Sequence, residues 1–338
     1  MQKTPLWKQL TIGAALVTAA AQVQAAHHGG ACGSVSVASM NWQSAEVLAQ
    51  IDKFVLEEGF GCSVEIVPGD TMPTMTSMTE KGQPDVAPEM WVNSIREPID
   101  KAVAEGRLHY AAQSLKDGGV EGWWIPAYLA EANPQIKTID DALKHPELFP
   151  APEDKSKGAV HNCPSGWNCQ LTTANAFKAW GAADKNFVLV DTGSAAGLDG
   201  SIAKAYERKQ GWLGYYWAPT SILGKYPMKK LDAGVPHDPK AWTDCNGKAD
   251  CVNPQKNDWA RAEVFTIITD DFKKRGGHAA EYLSKRAWGN STVNELLAWM
   301  TDNQATGEDG AIHFLANYPQ VWSTWVSPEV AAKIKAAL

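Results

Sequence analysis

The sequence lacks the signatures of several large classes of protein. It contains no G-x-S-x-G, H-E-x-x-H, G-x-x-x-x-G-K or G-x-G-x-x-G motif, so the usual patterns of serine hydrolases, zinc proteases, P-loop proteins and dinucleotide-binding proteins are missing. Positive charge is not in excess either, since 31 Lys and Arg stand against 38 Asp and Glu. We therefore expect neither an enzyme of these classes nor a nucleic-acid partner.

Phenylalanine and tyrosine are scarce, with eight of each, whereas tryptophan occurs 15 times. Because indole is large and rarely fully buried, this excess indicates flat aromatic faces that meet a ligand. The chain has 338 residues, of which 44% are hydrophobic, and this length exceeds what one core usually serves. We therefore expect two lobes.

Residues 1–26 have the pattern of a cleaved secretory signal. Lys3 and Lys8 precede an apolar run at 10–21, and small residues follow at a cleavage site. The run is too short to span a membrane, and no later stretch approaches the roughly 20 apolar residues that a spanning helix needs. We expect the mature protein to be free in the periplasm.

Six cysteines, an even number in an exported chain, predict three disulfides. Their number alone allows fifteen connectivities. Local pairing is the simplest choice and leaves the first two cysteines for each other, giving Cys163 with Cys169, Cys245 with Cys251, and Cys32 with Cys62. The first two both precede strand patterns, so neighbouring parallel strands would bring them together. A metal site is a weaker alternative, because the paired C-x-x-C spacing of zinc sites is missing.

Strand and helix patterns alternate along the mature chain, which favours an α/β fold. The predicted strands include 34–40, 63–67, 158–160, 187–190 and 262–269, and the predicted helices include 44–58, 169–180, 196–209, 278–286, 292–302 and 328–338. The C-terminal helices need a sheet to pack on, so the first lobe is expected to be discontinuous. We assign 1–26 to the signal peptide, 27–124 and 221–338 to the first lobe, and 125–220 to the second lobe. Two crossing segments would form a hinge.

A unit of strand, turn, helix, strand and tryptophan occurs twice, from Gly69 to Trp91 and from Gly193 to Trp217. In open α/β sheets, ligands bind at the carboxyl ends of the strands. Two such lobes facing each other would direct both tryptophans into one cleft. Core packing is the alternative interpretation, and we prefer it for the tryptophans on amphipathic helices.

The segment 163–169, which reads Cys-Pro-Ser-Gly-Trp-Asn-Cys, is the most informative in the chain. A disulfide across it would hold a tight loop, present Trp167 on the rim, and direct the amides of Asn168 and Cys169 along the start of the next helix, where an anion is favoured. This loop resembles the C-P-x-G-W-x-C loop of periplasmic binding proteins for glycine betaine and related compounds, which serve ABC importers. The resemblance extends to the segments 41–42, 68–71, 84–91, 121–126 and 215–219.

The resemblance implies the two-lobed α/β fold of a type II periplasmic binding protein, in which each lobe is a sheet flanked by helices. It also implies a box of tryptophans around a trimethylammonium group, which has no N–H and is selected by cation–π attraction. The motif match assigns the walls to Trp42, Trp91, Trp167 and Trp217. It assigns the binding of a betaine carboxylate to the amides of Asn168 and Cys169.

Glu121 lies where we expect an amide in this family. An acid at this position disfavours a carboxylate ligand unless burial keeps the acid protonated. It suits a hydroxyl or a cation better, so trimethylamine N-oxide and choline become candidates beside glycine betaine. The alternative is that Glu121 is a solvated hinge residue.

The expected partners are a small trimethylammonium solute and an ABC transporter permease at the inner membrane, with a monomeric protein and no required cofactor. Carnitine and dimethylsulfoniopropionate share the same methylated cationic centre. The rivals from other classes are a sugar-binding protein that stacks tryptophan on pyranose faces, and a secreted enzyme in which His161, beside the disulfide loop, is a general base.

The segment 244–253 carries carboxylates and amides at intervals similar to those of a calcium-binding loop. A structural Ca²⁺ held by Asp244, Asn246, Asp250 or Asn253 is one hypothesis. The other is a turn rich in Asp and Asn that the Cys245–Cys251 disulfide already holds.

Overall fold

The computed structural model describes residues 32–338, so the predicted signal peptide at 1–26 lies outside the described residues. The ten strands of this part are β1 (Ser34–Met40), β2 (Ser63–Gly69), β3 (Val86–Trp91), β4 (Leu108–Gln113), β5 (Val120–Pro126), β6 (Gly158–His161), β7 (Phe187–Val190), β8 (Gly214–Ala218), β9 (Met228–Lys230) and β10 (Val264–Thr269).

The helices up to β9 are α1 (Gln43–Phe54), α2 (Thr71–Lys81), α3 (Arg96–Ala104), α4 (Ala127–Ala132), α5 (Ile139–Ala142), α6 (Asn168–Ala179), α7 (Ala195–Arg208) and α8 (Ser221–Lys225). After β9 come α9 (Pro239–Ala241), α10 (Asp270–Arg275), α11 (His278–Lys285), α12 (Asn290–Asp302), α13 (Gly307–Asn317), α14 (Pro319–Trp322) and α15 (Pro328–Ala337). A π-helical turn, Val55–Gly59, continues α1.

The two five-stranded sheets have the same plan. Their strand orders are β2-β1-β3-β10-β4 and β7-β6-β8-β5-β9. In each sheet the first three strands run parallel, and the fourth, β10 or β5, is antiparallel to the third. The strand–helix–strand unit found twice in the sequence is therefore the same piece of each sheet: β2, α2 and β3 in one, and β7, α7 and β8 in the other.

Local sequence accounts for the elements that frame the cleft. In β1 the alternating Val35 and Val37 are buried on one face, as the period of two predicts. The helix α2 ends at Gly82, which adopts the left-handed conformation with a φ of 67° and whose N–H donates to the carbonyl of Met78. At the start of α7 the Ser194 side chain accepts a hydrogen bond from the N–H of Gly197.

The sheet topology places both lobe boundaries at other residues than the sequence predicts. The β5 strand, which begins at Val120, and the β9 strand, which ends at Lys230, both belong to the second sheet, so the crossings lie before 120 and after 230 instead of at 125 and 220. The physical reason is antiparallel pairing of β5 with β8 and β9, which an alternating β/α pattern does not reveal. The two crossing segments pair with each other through an antiparallel bridge between Gly119 and Ala262.

Three disulfides hold the fold, and they are the three pairs expected from the sequence: Cys32–Cys62, Cys163–Cys169 and Cys245–Cys251. Cys32 and Cys62 precede the paired first residues of β1 and β2, Ser34 and Ser63, as the parallel arrangement predicts. Among residues 32–338 no helix combines the length and the apolar character required to cross a membrane.

Candidate functional site

A small pocket lies in the cleft between the two sheets. The residues that line the pocket come from both lobes: Trp42, Thr71, Trp91, Glu121, Trp167, Asn168, Cys169, Tyr215 and Trp217. The structure thus brings together all seven residues that the sequence assigned to a ligand.

Two walls come from the carboxyl ends of parallel strands in the first lobe. Trp42 lies two residues after the end of β1 and directly precedes α1, and Trp91 is the last residue of the neighbouring β3. Their indole N–H groups donate to the same oxygen, Oε1 of the buried Glu89, at 2.7 Å from Trp42 and 3.1 Å from Trp91. One carboxylate therefore fixes the orientation of both rings.

The other two walls come from the second lobe. Trp167 precedes α6, and Trp217 lies near the carboxyl end of β8. The Trp167 ring is 5.3 Å from Trp42 and 5.2 Å from Trp217 between centroids, edge to face in both cases. Its indole N–H donates across the cleft to Oδ1 of Asn41 at 2.5 Å. Trp167 is thus the wall that joins the two lobes.

The Trp167 loop, residues 163–169, is closed by the Cys163–Cys169 disulfide and leads directly into α6. The first residues of α6, Asn168 and Cys169, line the pocket, so the amino end of a helix points at it. The side-chain oxygen of Asn168 is buried and has no hydrogen-bond partner among the described residues. This end of the pocket can therefore bind a polar group.

Glu121 is the charged side chain of the pocket lining. It lies on β5 directly opposite Trp217, and its Oε1 accepts a hydrogen bond from the Tyr215 hydroxyl at 2.6 Å. Burial raises the pKa of Glu121 to about 7, and the hydrogen bond from Tyr215 and the charge of Lys230 only partly oppose this rise. Near neutral pH the same carboxyl group can either donate or accept a hydrogen bond.

The lobes also touch beside the pocket. The backbone N–H of Met72, in the first turn of α2, donates to the carbonyl of Gly166 in the Trp167 loop at 3.2 Å. The Ser221 hydroxyl donates to the side chain of Gln43 at 2.9 Å. These contacts define a closed arrangement, in which walls from both lobes face the same space.

Four residues at the site were not assigned to it from the sequence. Thr71 and Tyr215 line the pocket, and Glu89 and Asn41 hold its walls. The strand period contains the missing signal for two of them, since Glu89 lies two residues before Trp91 and Tyr215 two before Trp217, on the same face in each case. Asn41 depends on a contact between lobes that sequence spacing does not encode.

The structure gives no support to a calcium site in the Cys245–Cys251 loop. In residues 32–338 no group of three or more His, Cys, Asp or Glu side chains is arranged to hold a metal ion. Asp244 forms an ion pair with Lys240, and the Asn246 amide donates to the carbonyl of Gln255 at 2.8 Å. The exposed Asp250 and Asn253 complete the proposed set without forming such a group.

His161, considered as a general base, is buried at the end of β6, outside the pocket lining. Its ring stacks on Trp212 at 5.2 Å between centroids, and Nδ1 lies 3.1 Å from the carbonyl oxygen of Leu213. Burial lowers the pKa of His161 to about 4. It is a neutral packing residue.

Known proteins are similar to this chain over most of its length. The family model described as "Substrate binding domain of ABC-type glycine betaine transport system" matches residues 33–317. A trimethylamine N-oxide-binding protein of Pelagibacter ubique (strain HTCC1062) is 23% identical over 296 residues, which cover 86% of this chain and 89% of the relative.

Solved structures with the same fold include a glycine betaine, L-proline-binding protein (ProX) from Borrelia burgdorferi, with a TM-score of 0.70, 17% identity, and coverage of 89% of this chain and 99% of that one. A choline binding protein in complex with choline has a TM-score of 0.70 and 18% identity, covering 90% of this chain and 98% of that one. At these identities the likeness shows the fold, which is that of type II periplasmic binding proteins.

Proposed function

The chain belongs to the family of substrate binding domains of ABC-type glycine betaine transport systems, and from this premise we propose that it binds trimethylamine N-oxide between its four pocket tryptophans. It is thus a solute-binding protein and not an enzyme. The observation that carries the proposal is the convergence of Trp42, Trp91, Trp167 and Trp217 with one acid, Glu121, on a small pocket.

The four indoles suit a trimethylammonium group. Such a group is positively charged but has no N–H, so hydrogen bonds cannot select it, whereas aromatic faces attract it at about 0.5–2 kcal/mol per contact. Two walls come from each lobe, so closure of the cleft is needed to surround the methyl groups. Binding and closure are therefore coupled.

Glu121 favours the N-oxide over a betaine. With its pKa raised to about 7, the protonated carboxyl can donate a hydrogen bond to the N-oxide oxygen. A betaine carboxylate would instead meet an acid that must stay protonated to avoid repulsion. The N-oxide is also short, which suits a small pocket walled by four indoles.

Glycine betaine is the second candidate, because the amino end of α6 lines the pocket. The amides of Asn168 and Cys169 and the unpartnered side chain of Asn168 are suited to a carboxylate. Choline, carnitine and dimethylsulfoniopropionate share the methylated cation. A sugar is disfavoured, since Glu121 is the only charged side chain among the lining residues and sugars require more polar partners.

The test compares the wild-type protein with Glu121→Gln at pH 6 and pH 8, using trimethylamine N-oxide, glycine betaine and choline. Because a group with a pKa of about 7 loses most of its proton over this range, the wild-type affinity for the N-oxide should fall about tenfold. The Gln variant keeps an N–H donor and should show no such fall. A wild-type protein that prefers glycine betaine at both pH values would favour the α6 amides over Glu121.

The family role extends the proposal to partners and location. The bound solute is handed to the permease of an ABC transporter at the inner membrane by a monomeric periplasmic protein. Three disulfides within residues 32–338 support an oxidising compartment. Export of the full chain, with cleavage near residue 26 found by mass spectrometry of the mature protein, would test the location.

A further inference from the structure

Glu89 is a fully buried acid behind the binding pocket, which it does not line. Its Oε1 accepts three hydrogen bonds, from the indoles of Trp42 at 2.7 Å and Trp91 at 3.1 Å and from the Ser44 hydroxyl at 2.8 Å. Its second oxygen, Oε2, has no partner among the described residues. Every one of these three donors belongs to the first lobe.

The strand geometry explains the arrangement. Glu89 and Trp91 are two residues apart in β3 and so face the same side of the sheet. The neighbouring β1 ends at Met40, and the turn after it delivers Trp42 and then Ser44 in the first turn of α1. Both indole N–H groups consequently point away from the pocket, toward one carboxyl group.

Burying a carboxyl group to accept hydrogen bonds from two indoles costs free energy. Burial raises the pKa of Glu89, and the three donors together with the nearby Arg286 guanidinium oppose that rise only in part. Elsewhere in the same protein neutral acceptors hold buried indoles, since Trp124 donates to the carbonyl of Tyr216 at 2.9 Å and Trp322 to that of Leu315 at 2.8 Å. The acid occurs where two ligand walls need the acceptor.

Three donors point at Oε1 and no acceptor lies within reach of Oε2 among the described residues, an arrangement that suits the ionised carboxylate even though burial raises its pKa. An acceptor with negative charge also changes what the walls attract. Donation of an indole N–H to a carboxylate increases the electron density of the ring, and cation–π attraction depends on that density. The carboxylate itself attracts a cation on the far side of the ring, and in a desolvated pocket the screening is weak. A ligand of the same shape without a charged central atom gains nothing from either effect.

We propose that Glu89 is a positioning residue that fixes both first-lobe walls and, by its charge, makes them select a methylated ammonium centre over its uncharged isostere. This inference rests on the proposed function, since it presumes a trimethylammonium ligand between the walls. It assigns to Glu89 a role through the indoles, without contact with the ligand.

The experiment uses trimethylamine N-oxide and tert-butanol, which have the same branched shape but differ in the charge of the central atom. Affinities of the wild-type chain and of Glu89→Gln are measured by calorimetry or by competition. Gln keeps an oxygen acceptor for the indoles and removes the charge. The affinity for the N-oxide should fall about tenfold, which corresponds to about 1.4 kcal/mol, and that for tert-butanol less than about twofold.

Two controls separate charge from packing. Glu89→Asp keeps the charge on a shorter side chain, so both ligands should weaken together and the ratio of their affinities should be retained. Ser44→Ala removes one donor to Glu89 but neither the charge nor a wall, so the ratio should again be retained. Circular dichroism and the Tm of each variant establish that it folds.

An unchanged affinity ratio in a folded Glu89→Gln variant overturns the proposal. If Glu89→Gln does not fold, the Glu89→Asp variant decides. A changed ratio of its affinities for trimethylamine N-oxide and tert-butanol overturns the proposal, and a retained ratio supports it. A wild-type protein that binds neither compound refutes the proposed function instead, so the two failures are distinguishable.

Discussion

Replacement of Trp167 by Ala tests the site most sharply, because this residue is both a wall and a contact between the lobes. The variant loses one face for the ligand, worth up to about 2 kcal/mol when desolvated. It also loses two edge-to-face contacts, with Trp42 and Trp217, and the hydrogen bond to Asn41. The contacts with Trp42 and Asn41 join the two lobes and therefore favour the closed cleft. We predict that affinity falls between about tenfold and about a hundredfold, or about 1.4–2.8 kcal/mol.

The assay is isothermal titration of trimethylamine N-oxide into protein that has been unfolded, dialysed and refolded, so that no copurified ligand remains. Asn41→Ala removes the acceptor of the Trp167 indole but keeps the wall, so it should weaken binding only about fivefold, near 1 kcal/mol. Trp299→Ala is the matched control, because Trp299 stacks on His313 outside the pocket. A Trp167→Ala affinity within twofold of the wild type would refute the reasoning.

Three further predictions concern the hinge, the acid and the Trp167 loop. A Cβ at Gly119 would lie 2.1 Å from the Trp91 ring, so Gly119→Ala should displace this wall and weaken binding at least about tenfold by titration, whereas Gly200→Ala, which meets nothing within 4 Å, should not. Since the folded-state pKa of Glu121 is raised, the wild-type protein loses stability as pH rises from about 4.5 to about 7. In urea unfolding without ligand, Glu121→Gln should therefore be more stable than the wild type at pH 8, by up to about 3 kcal/mol, and the two proteins should be equally stable near pH 4. Replacing the cysteines of Cys163–Cys169 or of Cys245–Cys251 by serines should cost about 2 kcal/mol of stability in either case. Only loss of Cys163–Cys169, which closes the Trp167 loop, should also weaken ligand binding, and equal losses of affinity in the two variants would contradict this.

Much of the fold follows from the hydrophobic periodicity of the sequence and from the turn residues between its periodic segments. The β1 strand, Ser34–Met40, and the β7 strand, Phe187–Val190, have the predicted bounds, because alternating β-branched residues lie between turn residues. The lobe boundaries were wrong because β5 and β9 enter the second sheet by antiparallel pairing. That pairing is a property of tertiary structure, and local pattern does not contain it.

The same distinction between local pattern and tertiary contact applies to the residues of the site. Residues in motifs, such as Trp167 in its disulfide loop and Trp217 at a strand end, could be placed from the sequence because local geometry directs them. Asn41 could not, because its hydrogen bond with the Trp167 indole crosses between the lobes and sequence spacing does not encode it. The calcium hypothesis gains no support from the structure, in which the Asp244 carboxylate already has a partner in Lys240 one helical turn away.

The close approach of Trp91 to Gly119 links the pocket to the hinge. Gly119 pairs with Ala262 where the two crossing segments meet, and the Trp91 ring occupies the space that a larger residue at this position would need. Movement of the crossing segments would therefore change the packing of one ligand wall. This contact gives a physical route by which opening of the cleft could release the solute.

The central claim is that the four pocket tryptophans bind a trimethylammonium group, and one titration tests it most directly. Refolded, ligand-free wild-type protein is titrated with trimethylamine N-oxide at pH 6, where Glu121 is mostly protonated. We predict saturable binding of one molecule per chain with a dissociation constant in the micromolar range, accompanied by a change in tryptophan fluorescence. No heat and no fluorescence change from a folded protein, with glycine betaine and choline equally silent, would contradict the account.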